Sequence, residues 1–95
     1  MNNIKISKGT VLHSNLIRCL IRLADYFDDF PVSIVDADEN SFTLGEADLF
    51  EIVKRISKAI EAKDCFIEQY IIYPKSDHIR VFVLPRDIKF EVPGV

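Results

Sequence analysis

The sequence has little cysteine, little glycine and no tryptophan. Two cysteines, three glycines and four prolines are spread over 95 residues. Two cysteines cannot form the disulfide framework of a small secreted scaffold, and they are too few for a structural zinc site. Both lie within apolar patterns, and we therefore expect Cys19 and Cys65 to be buried free thiols.

Long apolar runs are also missing. No run approaches the roughly 18 residues of a membrane span, and residues 1–14 lack the apolar core of a signal peptide. A cytoplasmic protein is therefore expected. The composition, 48% hydrophobic and 28% charged, is typical of a globular chain. Its length is typical of one domain, and residues 1–95 are assigned to a single domain.

Basic side chains are absent from residues 23–53. This block contains nine acidic residues, whereas the rest of the chain has twelve basic and six acidic ones. The formal net charge of −3 therefore combines a block of −9 with a remainder of +6. Such charge asymmetry bears on binding partners rather than on the fold.

Two segments have the apolar spacing of amphipathic helices. Apolar residues at positions 12, 16, 19, 20, 23 and 27 predict a helix over residues 10–28, and Pro31 ends it. Asp48 and Glu51 have the spacing of a capping box. They predict the start of a second helix that ends near Lys63.

Six short segments read as strands: residues 4–6, 31–37, 42–44, 66–73, 79–84 and 88–92. The predicted order is β-α-β-β-α-β-β-β. We expect an α+β protein, a two-layer sandwich in which an antiparallel sheet carries both helices on one face. Among named topologies it most resembles a ferredoxin-like core with added C-terminal strands. That resemblance concerns the fold and implies no function.

The acidic block contains a partial match to a calcium-binding loop. Asp36, Asp38 and Asn40 have the spacing of the first ligands of such a loop. Ser41 occupies the position that requires glycine, and Ala47 the position that requires a bidentate glutamate. The segment is therefore interpreted as a polar hairpin turn, and no metal or cofactor is predicted.

No pair of residues has the placement of a nucleophile and its base. Cys65 and His78 lie at opposite ends of a predicted hairpin, roughly 26 Å apart. His13 and Cys19 point to different sides of the first helix. The protein is therefore predicted not to be an enzyme. The alternative is a small enzyme whose site forms across a dimer, which could bring Cys65 near a distant histidine.

RNA binding is a second alternative. Residues 80–82, Arg-Val-Phe, weakly resemble the basic-aromatic strand of an RNA-recognition motif, but that motif's glycines are missing. Arg18 with Arg22, and Lys54 with Lys58, would supply basic helix edges to a ferredoxin-like RNA-binding domain. The sequence pI of about 5.3 is far below the value above 9 that is usual for such modules.

Three carboxylates lie where the helix dipole disfavours them. Asp25, Asp28 and Asp29 crowd the C-terminal end of the first helix, which already carries partial negative charge. A local rule broken in this way marks a candidate functional position. We predict partner binding by the acidic region, with aromatic residues as anchors. The predicted partner-binding residues are Asp25, Tyr26, Asp28, Asp29, Phe30, Asp36, Asp38, Glu39 and Phe42.

Surplus apolar positions predict a homodimer. Ile17 and Ile21 widen the apolar face of the first helix, and Phe82 and Leu84 lie on the strand face away from the helices. The predicted function is a small non-enzymatic binding or regulatory protein that docks onto a protein partner with a basic surface. An inhibitor, an immunity-type protein, a chaperone or a phage regulator would fit, with neither nucleic acid nor membrane as the target.

Overall fold

The computed structural model describes residues 3–85, which form two helices and five strands. The helices are α1 (Ser14–Leu23) and α2 (Leu49–Ala62), and α1 continues into a 3₁₀ turn, Ala24–Phe27. The strands are β1 (Ile4–Ile6), β2 (Val32–Ala37), β3 (Ser41–Gly45), β4 (Ile67–Tyr73) and β5 (His78–Val83). The sixth predicted strand, residues 88–92, lies outside the described residues.

The two helices begin differently. α2 starts as predicted, because the Asp48 carboxylate caps it by accepting a hydrogen bond of 3.3 Å from the backbone N–H of Glu51. It ends at Lys63, which adopts a left-handed conformation with φ of 62°. α1 is shorter than the predicted helix over residues 10–28, since it starts at Ser14 without a side-chain cap and tightens into the 3₁₀ turn after Leu23.

The sheet is mixed, with the strand order β1-β2-β3-β5-β4. β1 pairs with β2 in parallel, and the remaining neighbours are antiparallel. The prediction of a purely antiparallel sheet is therefore wrong, because α1 forms a crossover that returns the chain in the direction of β1. The ferredoxin-like variant is not confirmed: its parallel strands are split by another strand, whereas β1 and β2 are direct neighbours.

Alternating side chains of the strands form the core. Ile34, Phe42, Leu44, Ile79 and Val81 are fully buried. They form one cluster with apolar side chains from both helices, chiefly Leu16, Cys19, Leu20, Leu23, Ile52, Ile56 and Ala59. The α+β class is therefore confirmed. The opposite side of the sheet, here called the open face, carries Asp36, Thr43, Arg80, Ile71 and Phe82, as the strand register requires.

Candidate functional site

Four of the predicted partner-binding residues line one surface depression of about 350 Å³. They are Asp25, Tyr26, Asp28 and Asp29, on and just after the 3₁₀ turn, and we call them the acidic corner. The other wall belongs to α2 and includes Glu51, Lys54, Arg55 and Lys58. The depression therefore presents both signs of charge, which the position of the acidic block in the sequence does not reveal.

Arg55 holds the acidic corner against α2. Its guanidinium donates hydrogen bonds to the backbone carbonyl of Tyr26 (3.0 Å), to the Asp29 carboxylate (2.6 Å) and to the Glu51 carboxylate (2.9 Å). It also lies over the Phe30 ring, 4.8 Å from the ring centre. The Arg55 side chain is 19% exposed and is therefore a largely buried cation. Its charged hydrogen bonds fix the geometry of the corner.

These contacts lower the pKa of two carboxyl groups. The hydrogen bond from Arg55, followed by the charge of Arg55, lowers the pKa of Asp29. The hydrogen bond from Arg55 also lowers the pKa of Glu51, against the opposing effect of its partial burial. Asp29 is therefore neutralised locally, and it contributes little to an external negative field.

Replacing Arg55 with methionine should flatten the acid side of the stability profile. Both carboxyl groups have folded-state pKa values below the unfolded value of about 4. Their contribution is present above that value and is lost as pH falls through the lowered pKa values. We expect urea unfolding between pH 5 and pH 2 to show a shallower loss of stability in R55M than in the wild type.

The control for this experiment is K58M. Lys58 lines the same depression but forms no ion pair within residues 3–85. K58M should keep the acid profile of the wild type. An R55M profile as steep as that of the wild type would show that the Arg55 contacts do not persist in solution.

Asp25 and Asp28 differ from Asp29. Both are exposed, and neither forms an ion pair with a residue in the described range 3–85. Arg22, one helical turn before Asp25, does not offset it through such a pair. Tyr26, between them, donates a hydrogen bond of 3.2 Å from its hydroxyl to Asp64. Partial burial, together with Asp64, raises the pKa of Tyr26.

The second group of predicted residues surrounds Arg80 on the open face. The Arg80 guanidinium donates to Asp36 (3.0 Å) and to Asp38 (2.8 Å), and it also binds the hydroxyls of Ser41 (2.9 Å) and Thr43 (2.7 Å). Asp36 and Asp38 therefore stabilise the β2–β3 hairpin through Arg80, and they do not form a surface of unpaired carboxylates. Glu39 is exposed beside them and lines a different depression from the acidic corner.

The pKa of Asp38 is lowered by several contacts that together outweigh its partial burial. Partial burial alone would raise its pKa. The Asn40 and Ser41 backbone N–H groups and the Ser41 hydroxyl donate to its carboxylate at 2.8–3.0 Å, and these bonds together with the charge of Arg80 lower the pKa overall. The spacing that resembles a calcium loop is thus occupied by internal hydrogen bonds. No group of three metal-ligating side chains forms within residues 3–85.

Two predicted aromatic anchors are not free surface residues. Phe42 has 0% exposure and fills the core, so its predicted role as a docking anchor is wrong. It points inward because β3 alternates and Phe42 shares a face with Leu44. Phe30 is partly buried, lies under Arg55 and packs near Phe27. Of the three aromatic residues predicted as anchors, Tyr26 alone lines the depression at the acidic corner.

The predicted dimer residues lie at different depressions of the surface. Ile21 lines a depression on α1 with Arg18, and its neighbour on that face, Ile17, is half-buried. Phe82 lines a depression on the open face. Leu84 lines a third depression, beside the C-terminal end of α2. Ile21, Phe82 and Leu84 therefore line three depressions, and a dimer surface built from the four residues stays a prediction.

The cysteines are buried, as expected, and burial decides their chemistry. Cys19 and Cys65 are free thiols with at most 1% exposure. Burial raises the pKa of each thiol to about 12. The thiolate form that a nucleophile requires is therefore strongly disfavoured at neutral pH.

One exposed aromatic residue was missed by the sequence interpretation. Phe50 on α2 is 80% exposed and lines an apolar depression with Leu49, Val53 and Ile72. The sequence could have identified this exposed position, because Phe50 lies off the apolar stripe of α2 formed by Ile52 and the residues at helical spacing from it.

None of the helices in residues 3–85 is long and apolar enough to cross a membrane. Comparison of the chain with protein families, with curated proteins and with solved structures found no match.

Proposed function

We propose that this chain is a small non-enzymatic binding protein that docks onto a protein partner with a basic surface, as a cytoplasmic inhibitor or regulator. The observation that carries the proposal is the exposure of Asp25 and Asp28 without an ion-pair partner in residues 3–85. Two carboxylates without an ion-pair partner in that range attract a basic surface and accelerate the encounter with it.

The placement of these carboxylates costs stability. Asp25 lies in the first turn after α1, next to the carbonyl end of that helix. A negative charge there is unfavourable by a few tenths of a kcal/mol. Arg55 forms an ion pair with Asp29 but not with Asp25 or Asp28. Binding to a partner is therefore a reason for these two carboxylates to be present.

The corner is preorganised for binding. Arg55 ties Tyr26 and Asp29 to α2, so the turn between Asp25 and Asp28 is held before any partner arrives. A surface that is already ordered loses less conformational entropy on association. Tyr26 supplies a rigid, partly exposed ring between the two carboxylates, in the manner of an interface anchor.

Neutralising the two carboxylates should weaken capture of the partner. We expect D25N/D28N to retain the wild-type fold and to bind the partner about fivefold more weakly, since each exposed charge contributes less than about 1 kcal/mol. The measurement is a pull-down from host lysate with nuclease treatment, followed by titration of the captured protein. Binding by the wild type should fall at 1 M salt, where the Debye length is about 3 Å.

The control variant removes two carboxylates elsewhere. Glu46 and Asp77 are both exposed; Glu46 follows β3, and Asp77 precedes the neighbouring strand β5. E46Q/D77N should capture the partner as the wild type does. Capture by D25N/D28N that equals the control would refute the role of the acidic corner. Recovery of nucleic acid alone would favour the RNA-binding alternative.

No specific observation favours the other two functions. In the RNA-binding alternative Arg80 would contact phosphate, but its guanidinium is 15% exposed and is engaged by Asp36 and Asp38. In the enzyme alternative Cys65 would act as a nucleophile, but it is buried and its thiol has a raised pKa. Both functions would require these side chains to leave their present contacts.

A further inference from the structure

Among residues 3–85, β4 forms one edge of the sheet and has an unpaired side. Within residues 3–85, β5 is its only neighbour. The strand is seven residues long, and Ile71, Ile72 and Tyr73 are exposed, while Glu68 is its single charged residue. Soluble proteins usually protect such an edge with lysine, proline or a very short strand. A long apolar edge without that protection is a template for pairing with another strand.

The hydrogen bonds of β5 show which of its residues face β4. The backbone N–H of Val83 binds the carbonyl of Asn40, on the β3 side, at 2.8 Å. Backbone groups of successive residues in an antiparallel strand point to opposite sides. The backbone groups of Arg80 and Phe82 are therefore directed toward β4.

The same alternation assigns the outer edge of β4. Ile71 lies opposite Arg80 in the register, and Gln69 lies opposite Phe82, so both direct their backbone groups toward β5. The N–H and C=O groups of Tyr70 and Ile72 therefore face outward. These four groups are the hydrogen-bonding capacity that β4 offers to a further strand.

An apolar surface on α2 adjoins this edge. Phe50, Leu49 and Val53 line a depression of about 480 Å³ with Ile72 of β4, and Asp48 lies at it as its one charged residue. If a strand of another molecule paired with β4, the rest of that molecule would lie over this depression. Phe50, 80% exposed in the isolated chain, would then be covered.

We infer that the occupant of this edge is a second copy of the same chain, paired antiparallel with β4 about a twofold axis at Ile71. In this register Tyr70 of each copy lies opposite Ile72 of the other. Each such pair exchanges two backbone hydrogen bonds, so all four outward groups of both copies are satisfied. The surface is thus complementary to itself, and it is separate from the acidic corner.

Charge favours this arrangement of the two copies. With the axis at Ile71, the two Glu68 residues are separated by six strand positions, about 20 Å. A parallel pairing of identical strands would instead place the two Glu68 carboxylates side by side. On the helix face, Ile72 lines the same depression as Phe50 and Asp48, so the depressions of the two copies lie beside the axis.

The first test is the oligomeric state. Sedimentation equilibrium of the wild type over a concentration series should give a species of twice the 10.9 kDa chain mass. F50K should raise the dissociation constant of the dimer by at least about 100-fold, because both copies lose an apolar contact and gain a charge. V11K is the control, since Val11 is also exposed and apolar but lies before α1, away from β4.

The second test reads the register. In the inferred pairing the two Ile71 residues form a close pair with Cα atoms about 4.5 Å apart, within the range for a disulfide. I71C should therefore form a covalent dimer under oxidised glutathione. Q69C should not, because the two Gln69 residues would be separated by four strand positions, about 13 Å. Circular dichroism of each variant checks that the fold persists.

Three results would overturn the inference. They are a wild type that remains monomeric at several hundred micromolar, a dimer that F50K leaves intact, and cross-linking of Q69C in place of I71C. D25N/D28N should dimerise normally, and F50K should retain the acidic corner. A failure of the dimer is therefore distinguishable from a failure of the proposed partner binding.

Discussion

Replacing Phe42 with alanine is expected to lower the free energy of unfolding by about 3–5 kcal/mol. Phe42 is fully buried at the centre of the sheet, where β3 lies between β2 and β5. Removing its ring leaves a cavity between the strands and both helices, and a packed core fills such a cavity only in part. A domain of this size has a total stability of roughly 5–14 kcal/mol, so F42A should approach the limit of folding.

Thermal and urea unfolding of F42A measure this effect. The loss corresponds to a fall in Tm of at least about 12 °C. F82A is the matched control: Phe82 is half-buried on the open face, and its truncation should cost about 1 kcal/mol. Equal losses in the two variants would show that Phe42 does not lie in the core, and its predicted role as a docking anchor would regain support.

Replacing Arg80 with methionine should lower the free energy of unfolding by about 2 kcal/mol, a smaller loss than that expected for F42A. Methionine keeps the apolar stem and removes the four hydrogen bonds of the guanidinium. The Asp36 and Asp38 carboxylates are more than half exposed and regain water, so their share of the cost is small. The larger share comes from the buried hydroxyls of Ser41 and Thr43, which lose a charged partner.

Hydrogen exchange locates this loss in the structure. We expect R80M to expose the amides of the β2–β3 hairpin to exchange before those of α2, because Arg80 bridges both strands of that hairpin. R22M removes a guanidinium from an exposed position on α1 and should change stability by less than about 0.5 kcal/mol. A loss in R80M no larger than in R22M would mean that the cluster around Arg80 is not formed in solution.

Local signals in the sequence predicted much of the fold. The second helix was placed correctly because its cap is encoded within four residues, Asp48 to Glu51. The strands were recognised by their alternation, as in His78–Val83, where every second residue is buried. The first helix was predicted too long. The residues before Ser14 fit a helical pattern, but the backbone N–H of Thr10 closes a turn with the carbonyl of Ser7, and the helix begins only at Ser14.

The direction of β1 could not be predicted from the sequence. Ile4–Ile6 pairs with residues 32–34, and no local feature of a three-residue strand specifies a parallel neighbour. Sheet pairing depends on contacts between segments far apart in the chain, and the pattern of apolar residues is the same for either direction. The sequence likewise did not predict that β1 and β2 are direct neighbours with no strand between them.

The charge of the acidic block was misjudged for a related reason. Asp29 is neutralised by Arg55, 26 residues later, and Asp36 by Arg80, 44 residues later. The sequence shows a block without basic residues, whereas the fold brings two arginines to it from outside. The candidate site was therefore reduced from nine residues to a corner at which Asp25 and Asp28 remain unpaired in the described range.

The two edges of the sheet differ in length, and this difference limits assembly. β4 has seven residues, whereas β1, at the opposite edge, has three and exposes Lys5. If β4 joins two copies about a twofold axis, the outer boundaries of the sheet formed by residues 3–85 of both copies are the two short β1 strands. A three-residue edge with an exposed lysine is a poor template for another strand. Extension of such a dimer by further strand pairing is therefore disfavoured at both of its outer edges.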